Sequence, residues 1–294
     1  MTLQFKPLTP VFGAEVTGVN LNQTPSPDLV AEIDAAMDQH AVLVFRDQPL
    51  SEQQQLNFAS AFGTLDPGLT KVTKQKTRFV SNLLLDISNL DETGKVAARD
   101  DGKIISGLAN QLWHSDSSFQ CPAGKYSMLS PVALPDAGGE TEYADLRAAY
   151  DALTDDQKAE LDGLVGEHFA LHTRIMLGAQ YTEEQMNILK PVLWPLVREL
   201  PYGRKTLFHG VHVRSIVGWT IAESRLFLSD LLEHMVQRQF VYRHQWRLGD
   251  YVIWDNRCTV HRGRRFDLSV RRELRRSTTL DDDWAAHLRD NRAA

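Results

Sequence analysis

The chain has 294 residues, 43% of them apolar and 24% charged, which is the balance of a globular protein with a sizeable core. Its 32 basic and 38 acidic residues give a net charge of -6, which argues against general nucleic-acid binding, because that needs a basic surface. Two cysteines do not support a disulfide framework and are typical of a reducing compartment. The N-terminus shows no signal peptide, and no apolar run approaches about 18 residues. We therefore expect a cytoplasmic protein with no membrane partner.

Four helices are predicted from capping chemistry at their N-termini. The first follows Ser26-Pro27 and has an apolar face. The other three begin at the capping-box pairs Ser51/Gln54, Thr154/Gln157 and Thr220/Glu223.

Strand-like runs occupy residues 41–46, 126–134, 205–210, 239–246, 251–255 and 273–280. Strands dominate the second half of the chain, with helices between them, which favours an antiparallel β-sandwich or barrel over a βαβ repeat. Residues 65–110 have the least periodicity. We expect one domain over residues 1–294, with the segment 65–110 as a lid.

The stretch QLWHSDSSF, residues 111–119, places a histidine and an aspartate two positions apart. On a strand, residues two apart leave the same face, so His114 and Asp116 would lie side by side. An imidazole beside a carboxylate indicates part of a metal site. Because His-x-Asp is common by chance, this hypothesis depends on a third ligand.

The segment GDYVIWDNRCTVHRG, residues 249–263, reads as strand, Asp-Asn turn and strand, with His261 at the end of the second strand. A jelly-roll barrel brings early and late strands together, so His261 can meet Asp116. Two histidines and one carboxylate leave three positions open on an octahedral metal. That is the usual site of non-haem Fe(II) that activates oxygen.

Two other interpretations stay open at this point. EHFALH places His168 and His172 four residues apart, the helical spacing for zinc, although the full H-E-x-x-H pattern is missing. His209 and His212 form a weaker pair. The chain could therefore be a zinc hydrolase, or a jelly-roll module that binds a carboxylic acid without chemistry.

The stretch RGRRFDLSVRRELRR, residues 262–276, contains seven arginines. A solvated basic face is the expected reading for most of them. Strand alternation, however, places Arg272 and Arg276 together on one face. Guanidinium is the preferred bidentate partner of carboxylates, so two arginines near a metal site indicate two acidic small molecules bound together.

Together these motifs resemble the Fe(II)/2-oxoglutarate-dependent dioxygenases of the taurine and 2,4-dichlorophenoxyacetate dioxygenase family. That signature is H-x-D, a threonine after a Gly-Gly turn, a distal histidine in WDNR-x-x-x-H and an arginine eleven residues beyond it. The sequence supplies His114 and Asp116, Thr141 in GGETEY, then His261 and Arg272. The resemblance runs from FGAEVTGVNL to RRSTTLDD, and ANQLWHSDSSF, VYRHQW and RRELRR extend it to the herbicide-cleaving branch.

The resemblance implies a mainly β fold with inserted helices, a double-stranded β-helix (jelly roll), and a homo-oligomer. It implies iron ligation by His114, Asp116 and His261, and a 2-oxoglutarate site at Thr141 and Arg272. The implied substrate-binding residues are Arg276, Asn110, Ser117, Lys71 and Lys95. Fe(II), the cosubstrate 2-oxoglutarate and O2 are the expected cofactors, and we expect ascorbate to help.

The implied reaction is hydroxylation of the ether-linked carbon of an aryloxyacetate such as 2,4-dichlorophenoxyacetate, giving a phenol and glyoxylate with succinate and CO2. Taurine-type members carry a histidine and a tyrosine upstream, and LTKVTKQKTRF offers neither here, which disfavours taurine. The alternative within the family is the same chemistry on another acid: a phenoxypropionate, a cinnamate-like acid or a sulfonate.

Overall fold

A computed structural model describes residues 2–68 and 77–284. Helices span Pro27–His40 (α1), Glu52–Ser60 (α2), Gly102–Leu108 (α3), Leu146–Asp151 (α4), Asp155–Leu161 (α5), His172–Met176 (α6), Glu183–Ile188 (α7) and Ile221–Met235 (α8). All four helix starts predicted from the sequence are confirmed. Ser26 accepts a hydrogen bond from the backbone of Leu29, and the other three helices begin with reciprocal capping boxes.

The strands of the first half are Gln4–Pro7 (β1), Ala14–Thr17 (β2), Val42–Phe45 (β3), Leu85–Ser88 (β4), Gly124–Ala133 (β5) and Thr141–Asp145 (β6). Those that follow are Val165–His168 (β7), Val192–Pro195 (β8), Val197–Glu199 (β9), Lys205–Leu207 (β10), Val213–Ile216 (β11), Val241–His244 (β12), Tyr251–Asp255 (β13), Thr259–Gly263 (β14) and Glu273–Leu280 (β15). Each predicted strand is present, and the ranges 251–255 and 273–280 match those predicted. The described part of the chain is mainly β with helices inserted between strands.

Two antiparallel sheets carry the site. The larger has seven strands in the order β1-β2-β3-β13-β5-β15-β4, with β2 and β3 the one parallel pair. The smaller has three strands in the order β12-β6-β14. Two further sheets have the orders β11-β7-β8 and β10-β9.

Strand alternation explains how the larger sheet is covered on both faces. Leu43 and Phe45 of β3 pack with Met37 of α1 and Phe58 of α2 in one buried cluster. The alternate residues Val42 and Val44 belong to a second buried cluster.

That second cluster joins the two sheets. It combines Leu129 of β5 and Trp254 of β13 with Tyr143 of β6 on the smaller sheet. The inner faces of the two sheets therefore pack against each other, and side chains at one end of this contact are free to line a pocket.

The segment 65–110 is more regular than its sequence indicates. Within its described part, β4 pairs with β15 from Leu85↔Arg276 to Ser88↔Glu273, and α3 begins after Asp101, whose side chain caps it. The sequence did not predict β4, because all four of its residues are partly buried and the strand shows no alternation of buried and exposed residues. No helix in the described residues is long and apolar enough to cross a membrane.

Candidate metal centre and acid pocket

The backbone brings His114 and His261 together. His114 lies in an isolated antiparallel bridge with His261 of β14, in which each amide donates to the other residue's carbonyl, at 3.0 and 2.8 Å. The two ring centroids are 4.2 Å apart. Asp116 lies in the turn that follows, so the expectation that both 114 and 116 sit on one strand is wrong. It is the bridge to β14, together with this turn, that sets the three side chains on one site.

The side chains of His114, Asp116 and His261 can share one metal ion. One ligand atom from each lies within 4.8 Å of the others, and all three residues are buried. The Nε2 atoms of His114 and His261 lie 3.8 and 3.7 Å from the two carboxylate oxygens of Asp116. Among the described residues this is the one group of three or more His, Cys, Asp or Glu side chains with such spacing.

The protonation states suit a metal ligand set. Burial lowers the pKa of His114 and of His261, so both rings are neutral at physiological pH. The Nδ1 of His114 donates to the carbonyl of Leu112 at 2.7 Å, which leaves the Nε2 lone pair for a metal. Burial alone would raise the pKa of Asp116, but the neighbouring Arg276 guanidinium lowers it to about 2, so it is ionised. Two neutral imidazoles and a carboxylate fit a divalent transition metal.

A buried polar network fixes the Asp116 carboxylate. The hydroxyl of Ser127 donates to Oδ2 of Asp116 at 2.7 Å, and Nδ2 of Asn256 donates to the same hydroxyl at 2.9 Å. Oδ1 of Asn256 accepts from the Asp116 amide and from Trp254 Nε1, each at 3.0 Å. Sequence reasoning did not assign Ser127 or Asn256 a role. The WDNR motif that contains Asn256 was the available signal.

Arg272 and Thr141 lie beside this centre. Nε and Nη2 of Arg272 donate to the carbonyl of Gly139 at 3.3 and 2.9 Å, and burial lowers the pKa of Arg272 to about 10, so it keeps its charge. Gly139 has φ +75°, and a Cβ there would lie 2.7 Å from Nε of Arg272, so the Gly-Gly turn is needed for this approach. Oγ1 of Thr141 accepts from Trp246 Nε1 at 3.0 Å, which leaves its own hydrogen to donate.

Arg276 reaches the metal centre itself. Its Nη1 donates to Oδ1 of Asp116, and its Nε has no hydrogen-bond partner among the described residues. Arg272 and Arg276 both line the pocket, as strand alternation predicted.

The metal centre opens into a pocket of about 570 Å³. Asn110 and Ser117 line it, but the Ser117 hydroxyl already donates to Asp66 at 2.6 Å and so offers a ligand only an acceptor. Lys71 lies outside the described residues. Lys95 is exposed on a turn in which the Asp91 amide donates to the Lys95 carbonyl. It is not among the residues that line the pocket.

Several lining residues were not anticipated from the sequence. Phe119 and His212 pack edge to face with ring centroids 5.0 Å apart, and Arg174 of α6 faces the same space. Arg78 and Lys103 line the pocket and are paired with Asp86, at 2.9 and 2.7 Å. Phe119 ends the QLWHSDSSF stretch and His212 belongs to the weaker histidine pair, but the sequence did not place either of them, or the three basic residues, in the pocket.

The solvated basic face expected for most of residues 262–276 is partly wrong. Arg262 and Arg264 pair with Glu142 of β6, whose side chain is only 6% exposed. Arg275 donates to Gln55 and to the carbonyl of Leu50. These arginines hold β14 and β15 against their neighbours.

The zinc hypothesis based on helical spacing is wrong. His168 ends β7, whereas His172 begins α6, so the two histidines do not share a helix face. The ring of His168 stacks on Phe208, and burial lowers its pKa to about 3. The other pair forms no second cluster among the described residues, since Nε2 of His209 donates to the carbonyl of Leu228 at 2.9 Å within the core.

Comparisons with known proteins give the family. The family model described as "Taurine catabolism dioxygenase TauD, TfdA family" matches residues 4–278. An alpha-ketoglutarate-dependent 2,4-dichlorophenoxyacetate dioxygenase of Cupriavidus pinatubonensis is 53% identical over 96% of this chain and 99% of its own length. An (S)-phenoxypropionate/alpha-ketoglutarate-dioxygenase of Sphingobium herbicidovorans is 34% identical over 94% of each chain. The crystal structure of AAD-2 with Mn(II) and N-oxalylglycine superposes with a TM-score of 0.88, at 43% identity over 95% of this chain and 97% of that one. The chain belongs to the TauD/TfdA family of dioxygenases.

Proposed function

We propose that this protein is an Fe(II)- and 2-oxoglutarate-dependent dioxygenase that cleaves an aryloxyacetate such as 2,4-dichlorophenoxyacetate. The observation that carries the proposal is one pocket that holds both the metal ligand set and two arginines, the buried Arg272 and the partly buried Arg276. The 53% identity to a dioxygenase named for that substrate supports the substrate class.

The balanced reaction takes one O2. One oxygen atom enters 2-oxoglutarate, which loses CO2 and becomes succinate. The other is inserted into the C–H bond between the ether oxygen and the carboxylate, and the resulting hemiacetal separates into a phenol and glyoxylate.

Ferrous iron would be held by Nε2 of His114, Nε2 of His261 and the carboxylate of Asp116. Bound there, it supplies the oxygen activation that is coupled to decarboxylation of 2-oxoglutarate. The chain keeps both imidazoles neutral by burial and fixes the carboxylate through Ser127 and Asn256. Ascorbate in the assay would keep the iron reduced.

The far carboxylate of 2-oxoglutarate would bind Arg272 and Thr141. Nη1 of Arg272 has no hydrogen-bond partner among the described residues, and the Thr141 hydroxyl hydrogen is available. A charge-assisted contact of this kind is roughly twice as strong as a neutral one.

The substrate carboxylate would bind Arg276, with Asn110 and Ser117 in the pocket wall. The pairing of Arg276 with Asp116 puts the guanidinium next to the metal centre, so an acid held there has its ether-linked carbon near the reacting oxygen. Contacts from Lys71 and Lys95 stay predictions from the family resemblance.

The remaining proposals concern the molecule as a whole. A pocket lined from both sheets, by Thr141 and His261 on the smaller and by Leu129 and Arg276 on the larger, supports a double-stranded β-helix. We also propose one domain over 1–294, a lid formed by 65–110, a homo-oligomer and a cytoplasmic location.

The test is succinate release in air with Fe(II), 2-oxoglutarate and ascorbate, with and without 2,4-dichlorophenoxyacetate, with the phenol assayed in parallel. Equal amounts of succinate and phenol are expected. Succinate without phenol would reject this substrate and move the search to phenoxypropionates and other acids. Neither product, with iron bound, would reject the dioxygenase assignment.

A further inference from the structure

One more arginine in the pocket has no counterion among the described residues. Arg174 of α6 lines the pocket and is partly buried, on a helix that sequence reasoning did not mark. Its Nε donates to the Ser106 hydroxyl at 3.0 Å and its Nη1 to the carbonyl of Ala170 at 2.9 Å. Both acceptors are neutral. Its Nη2 has no hydrogen-bond partner in the described part of the chain.

The other arginines that line the pocket are already engaged. Their partners are Asp86 and Glu273 for Arg78, Glu142 for Arg264, the Gly139 carbonyl for Arg272 and Asp116 for Arg276. With Arg174, five arginines line the pocket. Of these, Arg174 and Arg272 have no carboxylate within ion-pair distance in residues 2–68 and 77–284. The proposed cosubstrate supplies a carboxylate to Arg272. Nothing in the reaction as described so far supplies one to Arg174.

The position of Arg174 indicates which ligand it meets. Thr173, which precedes Arg174 in α6, donates through Oγ1 to the carbonyl of Val211 at 3.0 Å, and this bond holds α6 beside His212. The His212 ring packs edge to face on His114 and on Phe119, with centroids 6.0 and 5.0 Å apart. Arg174 therefore lies beside the metal centre, which Arg276 also reaches and where the substrate acid is expected.

We propose that Arg174 is a specificity-determining residue that binds the substrate carboxylate together with Arg276. This inference rests on the proposed function. A carboxylate has two oxygens and about four acceptor sites, so two guanidiniums on different elements can share it. An uncharged analogue leaves the Arg174 guanidinium without a counterion in a partly buried space, which is costly, whereas Arg276 keeps its pairing with Asp116. Arg174 thus makes the pocket select acids over neutral aryl ethers.

The Ser106 contact gives the guanidinium its orientation. Ser106 belongs to α3, within the segment proposed as a lid, and Arg174 belongs to α6, so this hydrogen bond joins two short elements at the pocket wall. If Arg174 had only a structural role, that role would be this hydrogen bond to Ser106. Its loss would then destabilise the fold and weaken acidic and neutral ligands equally. A carboxylate-binding role predicts instead that acidic ligands are weakened more than neutral ones.

Direct binding tests the proposal without turnover. The protein loaded with Mn(II) and N-oxalylglycine is titrated calorimetrically with 2,4-dichlorophenoxyacetate and with the neutral 2-(2,4-dichlorophenoxy)ethanol. Arg174→Gln should raise the Kd of the acid by about 10- to 100-fold, the value of a lost charged hydrogen bond, and that of the alcohol by less than about twofold. Arg174→Lys keeps the charge but loses the fork, so its Kd should be intermediate.

Arg264→Gln is the matched control, because it removes an equal charge from the same lining but from a residue paired with Glu142. It should change the Kd of the acid by less than about threefold. Equal effects of Arg174→Gln on acid and alcohol, or a loss of N-oxalylglycine binding as large as the loss of acid binding, would overturn the proposal. If Arg174→Gln does not fold, an Arg174→Lys protein with unchanged affinity for the acid overturns it as well.

The proposed function fails separately. If the unsubstituted protein neither binds nor converts the acid, the function is rejected, and the inference is rejected with it. If the unsubstituted protein binds and converts the acid while Arg174→Gln binds it as tightly, only the inference is rejected.

Discussion

The two walls of the pocket are built differently. On the metal wall, the side chains of His114, Asp116 and His261 are 4–7% exposed and are set by backbone bridges and a closed polar network. On a second wall, the paired side chains of Arg78, Asp86 and Lys103 are 14–18% exposed and sit on β4, on α3 and on the chain before β4.

This difference in construction indicates that the metal wall serves the reaction and the other wall serves substrate selection. Ladder hydrogen bonds and a packed core hold the metal ligands, because small displacements of reacting groups are costly to the rate. Ion pairs between short elements hold the other wall, where substitutions can alter the pocket without disturbing the sheets. The predictions below test this division from the largest effect to the smallest.

His114→Ala should reduce turnover by at least about 1,000-fold. The substitution removes one of three metal ligands and leaves two, which is too few for a stable centre. Succinate and phenol release, together with iron content after gel filtration, is the measurement. His172→Ala is the control, because its ring lies outside the pocket lining and should not affect iron content. An iron-loaded, active His114→Ala protein would refute the metal assignment.

Arg272→Met should raise the KM for 2-oxoglutarate by about 100-fold. It removes a buried bidentate donor for the far carboxylate, and about 2.8 kcal/mol corresponds to a hundredfold change in affinity. Initial rates against 2-oxoglutarate concentration give the value. The neighbour Arg271 points to the other side, pairs with Glu273 and is 54% exposed, so Arg271→Met should change that KM by less than about twofold. Equal effects at both positions would contradict the assignment of Arg272.

Asn256→Ala should weaken metal binding by about 10- to 100-fold, the usual effect of losing a partner of a ligating group. Asn256 bonds both the Asp116 amide and the Ser127 hydroxyl, so its loss frees the carboxylate to rotate. Mn(II) titration by calorimetry measures the change. Ser115→Ala is the comparison, since that hydroxyl donates to the Thr259 carbonyl instead, and it should weaken the metal site less.

The metal wall was largely predictable from the sequence, for a physical reason. Strand periodicity is local, so YVIWD and ELRRSTTL mark their strands and place Arg272 and Arg276 on one side. The prediction that His114 and Asp116 lie side by side is confirmed, but the local structure differs from the strand that was expected. Their proximity comes from the bridge between His114 and His261, which links residues far apart in sequence.

Other residues of the pocket were not predictable in this way. Arg174 lies in a helix of five residues, and its place in the pocket depends on how α6 packs near α3. The WDNR motif marks Asn256, but it does not reveal the three partners of that side chain. Such roles follow from tertiary contacts, and a single sequence carries little information about them.

Of the four substitutions, Lys103→Met should have the smallest effect. The Lys103–Asp86 contact is an ion pair between short elements, which is the type of contact that holds the second wall. The Lys103–Asp86 pair is partly exposed, and Arg78 still holds Asp86 at 2.9 Å after the lysine is lost. We expect a loss of less than about 1 kcal/mol in the free energy of unfolding and a two- to fivefold rise in the KM for the acid. Denaturant unfolding and initial rates measure these, with Lys158→Met on α5, outside the pocket lining, as the control. A tenfold or larger rise in KM would mean that α3 positions the substrate as strictly as the strands position the metal, and the contrast between the walls would fail.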